Sequence, residues 1–246
     1  WMAPEGDAGV EVRAWSQDAP DVEGIIPGEV VIEAFGCELP PPFIGAMARR
    51  QPAPAWVNLE YLSAEPYAAA SHRLRSPQFS GPGKGLDKWF FYPGFTPDTG
   101  GLLRQPNDTA STFDDGRIDW LARLGCAPHH GERVVTLFCY DNPALPQLLD
   151  YLAEQPTLLL ATPGHAQRRL SGLQLPGAVR RFDLPWLTQA DYDRLLHCAD
   201  LNLVRGEDSF VRAMWAQRPF VWHIYPQDDG AHAYKLEAFL SSFAPA

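Results

Sequence analysis

No stretch of this 246-residue chain approaches the about eighteen consecutive apolar residues that a membrane-spanning helix needs. Cysteine is scarce. The four present, Cys37, Cys126, Cys139 and Cys198, are far apart, with no CxxC pair and no histidine at ligand spacing. That spacing encodes neither a disulfide framework nor a zinc site. Three of them stand in apolar strand or helix context and read as reduced core residues of a cytoplasmic protein. Lys and Arg are outnumbered by Asp and Glu, 20 against 30, for a formal charge of −10. An acidic chain without basic clusters argues against affinity for nucleic acid, whose phosphates demand Lys and Arg. The same balance permits a partner with a basic, arginine-bearing surface. The phosphate-binding patterns GxGxxG and GxxxxGK[ST] are absent, as is the GxSxG elbow, which argues against a bound dinucleotide, a P-loop and a hydrolase nucleophile. Internal repeats, low-complexity tracts and a signal-peptide pattern are lacking too. The paired His129 and His130 stand in a Pro/Gly loop and read as surface rather than metal ligands. Because the first residue is Trp rather than Met, the chain is expected to be a fragment.

What is present is a 46% apolar composition, enough to exclude disorder and to build one large or two modest cores. Short apolar runs alternate with helical patterns. Strands are expected at 10–15, 30–35, 55–62, 88–95, 133–140, 157–162, 178–184, 201–205 and 220–225. Most are continuous rather than alternating, as strands buried on both faces of a parallel sheet are. Between them, 144–155 places Leu145, Leu148, Leu149 and Leu152 on one stripe. Further helices are expected at 187–199, with Thr188 as N-cap and Asp191 three residues on, at 209–217 with Ser209 or Asp208 as cap, and at 233–243. The turn-rich segment from about 97 to 130, interrupted by the short helix IDWLARLG, marks the break between two α/β units. The expected domains are 1–129 and 130–246.

Charged residues concentrate in RGEDSF, 205–210, between the expected strand LNLVR and the helix that follows. In parallel α/β sheets, ligands collect beyond the carboxyl ends of strands, where free amides and the helix dipole attract phosphate. Arg205 adds a fork of donors suited to diphosphate oxygens, whereas Glu207 and Asp208 suit sugar hydroxyls. An N-capped helix with Arg205 and Glu207 paired at the surface explains the stretch equally well from position alone. Tyr140, ending an expected strand, could stack on a base or simply pack. Gln189 and Tyr192 could reach the same pocket from the start of their helix. In the first unit Asn58, Glu60 and Tyr61, within NLEYLSAE, lead from strand to loop. The Gly/Pro turn YPGFTPDTGGLL, 92–103, serves either as a hinge or as the wall of a cleft.

The stretches NLEYLSAE, FFYPGFTPDTGGLL, RGEDSFVRAMWA and PFVWHIYPQ, in this order, resemble the bacterial elongation factor P arginine rhamnosyltransferases over essentially the whole chain. The resemblance implies a GT-B architecture, two Rossmann-like domains facing across a cleft. It implies inverting transfer of rhamnose from dTDP-β-L-rhamnose to an arginine of elongation factor P, without a metal or other cofactor. It places the donor in the second domain: Arg205, Asp208 and Ser209 on the diphosphate, Glu207 as the essential acidic residue, Gln189, Tyr192 and Tyr140 near the thymidine. Asn58, Glu60 and Tyr61 fall on the acceptor side. The expected partners are elongation factor P and the nucleotide sugar, with no direct nucleic acid and no membrane. The family's opening turn with two aspartates, of the form DNYGDIG, has no counterpart here. The chain is therefore expected to lack about the first third of the first domain, the carboxylates that orient the acceptor arginine, and the closing helix. Two other functions remain compatible with the sequence: another GT-B nucleotide-sugar enzyme, or a non-catalytic module that binds elongation factor P.

Overall fold

A computed structural model describes residues 24–102, 104 and 116–243. The strand expected at 10–15 and part of the 97–130 segment lie outside these residues. Contacts divide the described residues into two compact units, the first running from residue 24 to Arg104 together with Ala233 to Phe243, the second from residue 116 to His232. This differs from the expected division at 129 in two places. The helix α3 (Arg117–Arg123) belongs to the second unit, because Trp120 and Leu121 are buried there against Val134, Leu158 and Leu195. The last helix, α8 (Ala231–Phe243), is grouped from Ala233 with the first unit, where Phe239 meets the ring of Phe95.

The first unit holds four strands: β1 (Val30–Ala34), β2 (Ala55–Leu59), β3 (Arg75–Pro77) and β4 (Asp87–Phe91). Their order is β1-β2-β4-β3, with β1, β2 and β4 parallel and β3 antiparallel at the edge. Alternation governs which residues turn inward: Val31 and Trp56 are buried with Met47 of helix α1 (Pro41–Arg49), whereas Val30 and Ile32 are exposed. Helices α1 and α2 (Pro66–Ser71) and the three-residue β3 lack the periodicity that marks longer elements. Both helices open with proline, which a first turn tolerates because its amides have no intrahelical partner. A charged group is buried as well. Glu33, 3% exposed, accepts from Trp56 Nε1 (3.0 Å) and pairs with Lys88 (2.9 Å), so its charge is compensated.

The second unit is a five-stranded, all-parallel sheet: β5 (Arg133–Leu137), β6 (Thr157–Ala161), β7 (Val179–Asp183), β8 (Leu201–Arg205) and β9 (Phe220–His223). The spatial order is β7-β6-β5-β8-β9, so the chain winds outward in one direction from β5, then crosses back to β8. Helices α4 (Leu145–Leu152), α5 (His165–Ser171), α6 (Gln189–Cys198) and α7 (Asp208–Ala216) make the crossovers. Val135, Leu137, Leu159 and Ala161 point to the face covered by α4 and α5, through Leu145, Leu149, Leu152, Ala166 and Leu170. Their alternate neighbours Val134, Leu158, Leu160 and Val204 point to the other face, under α3, α6 and α7. All five residues of β6 are buried, as the continuous apolar run TLLLA requires of a central strand. The strand Asn202 is also fully buried and is satisfied: its amide donates to Leu196 O (2.9 Å) and its oxygen accepts from the Thr136 hydroxyl (2.7 Å). Among the described residues no helix is long and apolar enough to cross a membrane.

Candidate functional site

The order β7-β6-β5-β8-β9 reverses direction between β5 and β8, and a crevice opens over the carboxyl ends of strands at such a point. Here a cavity of about 280 Å³ is built entirely from segments that follow strands. Phe138 comes from the end of β5; Thr162, Gly164 and Arg168 from the turn and helix after β6; Leu184 to Leu187 from the loop after β7. The start of α6 contributes Gln189 and Tyr192, and the RGEDSF turn contributes Arg205, Asp208 and Ser209. Gln167 shapes two of these walls at once, its amide donating to Ala161 O (3.1 Å) and Leu184 O (2.8 Å).

Arg205 closes β8. Its guanidinium lies between two rings, 4.5 Å from the centroid of Phe138 and 4.4 Å from that of Tyr140. Its Nε is buried without a hydrogen-bond partner. The two ring faces hold the guanidinium in place without neutralising its charge. Gly206 turns the chain with φ +69°, a left-handed conformation that suits glycine, and its carbonyl accepts from Trp222 Nε1 (2.8 Å).

The cap expected at Ser209 or Asp208 is not observed. Helix α7 starts at Asp208, with Glu207 at the cap position making no side-chain cap bond. Ser209 instead faces inward and is buried. Asp208 accepts from Arg212 Nε (2.9 Å) one turn on, where a carboxylate in the first turn also favours the helix dipole. Arg212 holds Asp193 too (2.7 Å). Turned so that its oxygen faces this guanidinium, the Gln189 amide accepts from Arg212 Nε (2.8 Å). Arg212 thus organises Asp208, Asp193 and Gln189, although it does not line the cavity. On α6 the expected cap is present: Thr188 Oγ1 accepts from the Asp191 amide (3.1 Å). The Tyr192 hydroxyl is buried and has no hydrogen-bond partner. Burial drives its pKa well up; the Ser209 side chain lies near enough to oppose the shift, and the Asp208 and Asp193 carboxylates add to it.

Five expected donor residues, Arg205, Asp208, Ser209, Gln189 and Tyr192, therefore meet at one cavity. Two do not line it. Tyr140 stands behind Arg205, and Glu207 lies in the turn beside the cavity. Phe138, Trp186, Arg168 and Arg212 were not singled out from sequence. Phe138 carried the one usable signal, standing two residues before Tyr140 at the end of the same strand. In the first unit, Asn58 Nδ2 donates to Glu60 Oε1, while Asn58 Oδ1 is buried without a partner. Tyr61 is exposed and stacks on Phe35 (4.5 Å, 25°), with Lys235 5.7 Å from its ring. The three residues expected on the acceptor side thus run from the end of β2 into the loop that follows it. His129 is an exposed side chain beside Glu132.

Such a sheet, with an arginine-bearing turn beneath a cavity at its point of reversal, defines an α/β unit with a doubly wound parallel sheet. Residues 2–246 match the family described as elongation factor P (EF-P) rhamnosyltransferase EarP, and the chain belongs to that family. It is 45% identical to the protein-arginine rhamnosyltransferase of Pseudomonas aeruginosa over 96% of its length and 65% of that protein's. It is 42% identical to that of Pseudomonas putida, over 98% of this chain and 69% of that one. It thus spans about two thirds of the length of these relatives. A solved structure described as the structural basis for EarP-mediated arginine glycosylation of translation elongation factor EF-P is also similar. That similarity has a TM-score of 0.53 at 40% identity, covering 61% of this chain and 52% of that one.

Proposed function

We propose that the chain is part of an inverting glycosyltransferase of GT-B architecture, which moves rhamnose from dTDP-β-L-rhamnose to an arginine of elongation factor P without a metal. The observation that carries the reading is the cavity itself. Arg205, Asp208 and Ser209 from one turn, and Gln189 and Tyr192 from the start of another helix, line one hollow at the point where such sheets take nucleotides. Membership of a family described as elongation factor P rhamnosyltransferases supports this choice of reaction.

On this reading the donor diphosphate lies against Arg205 and the first amides of α7. The base extends toward Trp186 and Tyr192, whose rings offer an apolar slot. In the transfer, a guanidinium nitrogen of the acceptor forms a bond to the anomeric carbon while the bond from that carbon to the diphosphate oxygen breaks. The electron pair leaves with dTDP, and the nitrogen gives up a proton to a carboxylate. Arginine is a poor nucleophile because its charge is delocalised, so positioning and electrostatics must supply the acceleration. Arg205 stabilises the departing negative charge, and its placement between rings means no reorganisation is needed as that charge develops. Glu207 orients the sugar from the adjoining turn, and Tyr140 backs Arg205. Asn58, Glu60 and Tyr61 receive the acceptor arginine. The protein works in the cytoplasm, where elongation factor P is made.

The test is nucleotide selectivity. Thermal unfolding is followed with dTDP, UDP or GDP added at equal concentration. Stabilisation by dTDP well above that by UDP and GDP supports the donor assignment; equal stabilisation, or none, refutes it.

A further inference from the structure

The ring that backs Arg205 is itself held. Tyr140 meets His223 edge-on, with ring centroids 5.3 Å apart at 83°, and Tyr225 likewise at 5.2 Å and 77°. The Tyr140 backbone N–H donates to His223 Nδ1 (3.3 Å). His223 ends β9 and is the cross-strand partner of Arg205 in β8. Its side chain thus spans from the edge strand, past the end of β8, to the loop after β5. One imidazole links the two segments that flank the reversal point.

We propose that His223 is a positioning residue of the donor site, its Nδ1 fixing Tyr140 and thereby one of the two rings that aim the Arg205 guanidinium. The inference rests on reading the cavity as the nucleotide-sugar donor site. It adds a residue that neither touches the cavity nor carries charge. Because Nδ1 accepts a backbone N–H, the neutral ring carries its proton on Nε2. The groups facing the imidazole are Arg205 from β8, Tyr140 from the loop after β5 and Tyr225 from the segment after β9. Burial, and then the Arg205 cation, hold its pKa below the ordinary histidine value, which keeps the acceptor nitrogen free at neutral pH. Protonation would set a donor against the Tyr140 N–H and a second cation beside Arg205.

Packing alone would make the same contacts, so the test separates the acceptor from the bulk. In His223→Asn the side-chain oxygen replaces Nδ1 as acceptor; in His223→Leu the bulk stays and the acceptor goes. Calorimetric titration of dTDP at pH 8 into wild type, Arg205→Ala and both His223 variants gives the answer. The expected result is about tenfold weaker binding for His223→Leu and a loss of no more than about twofold for His223→Asn, the scale of one hydrogen bond. On acidification to about pH 5.5, wild type loses affinity relative to His223→Asn, because the two proteins differ only in whether this ring can take up a proton. Wild-type affinity in His223→Leu overturns the proposal. So does an equal loss in both variants, or an equal pH profile for wild type and His223→Asn. If wild type binds dTDP and Arg205→Ala does not, those failures strike His223 alone. If wild type does not bind dTDP, the donor-site reading falls and this inference falls with it.

Discussion

Replacing Arg205 by lysine isolates what the paired rings contribute, because the substitution keeps the charge and discards the shape. In the structure the planar guanidinium lies 4.5 Å and 4.4 Å from the centroids of Phe138 and Tyr140, with a buried Nε that has no protein partner. A fork held in this way offers two charge-assisted bonds to a diphosphate, each worth about 1.5–3 kcal/mol. A lysine ammonium is a point charge on a flexible stem; it can keep one of those bonds and cannot stack between two rings. Losing one bond corresponds to about ten- to hundredfold weaker dTDP binding, with the full loss in Arg205→Ala larger still. Calorimetry on the three proteins reads this directly, with thermal unfolding run alongside to show that the fold survives. Arg205→Lys binding dTDP as tightly as wild type would refute the reasoning, since charge alone would then suffice and the sandwich would be incidental packing.

Other outcomes follow from the same geometry. Tyr192→Phe removes a buried hydroxyl that lacks a hydrogen-bond partner, so the melting temperature should stay level or rise while dTDP affinity falls; a destabilised protein would mean the hydroxyl is satisfied in solution. Glu132 is held down to about 2 chiefly by its hydrogen bonds from Arg180, with burial opposing and the His129 amide assisting. Its folded pKa is depressed, so its contribution is complete above the unfolded value of about 4.3 and is lost as pH falls through about 2. Glu132→Gln should therefore cost about 1–2 kcal/mol at pH 7, after allowance for screening at the partly exposed Arg180, and the difference should shrink below about pH 4 and close as pH falls through about 2 in chemical denaturation. Leu158→Ala, at a fully buried position in β6, should lower stability by about 2–4 kcal/mol, which urea denaturation measures.

Which parts of this protein were legible before folding divides along a physical line. Residues within one element interact through local geometry, and local geometry leaves a period in the sequence. The stripe Leu145, Leu148, Leu149, Leu152 was readable: three of the four are buried in the core with β5 and β6, and Leu148 packs against it partly buried. The Thr188 cap was readable because it needs only Asp191, three residues on. The continuous run TLLLA announced a strand covered on both faces, and it is one. The short helices α1, α2 and α5 left too little period to read. The same limit hid Ser209: its place in the chain suggests a cap, but tertiary packing turns it inward.

Sequence by itself determined the alternation of strands and helices, the acidic charge, and the charged turn RGEDSF at a strand's end. Only the tertiary structure decided that Gln189, Tyr192 and Arg205 share a cavity, and that Arg212 ties Asp208, Asp193 and Gln189 together. The reason lies in the strand order. Whether β8 returns beside β5 rather than beside β7 depends on how whole faces bury against one another, and no local period records that choice. The crevice exists only once it has been made.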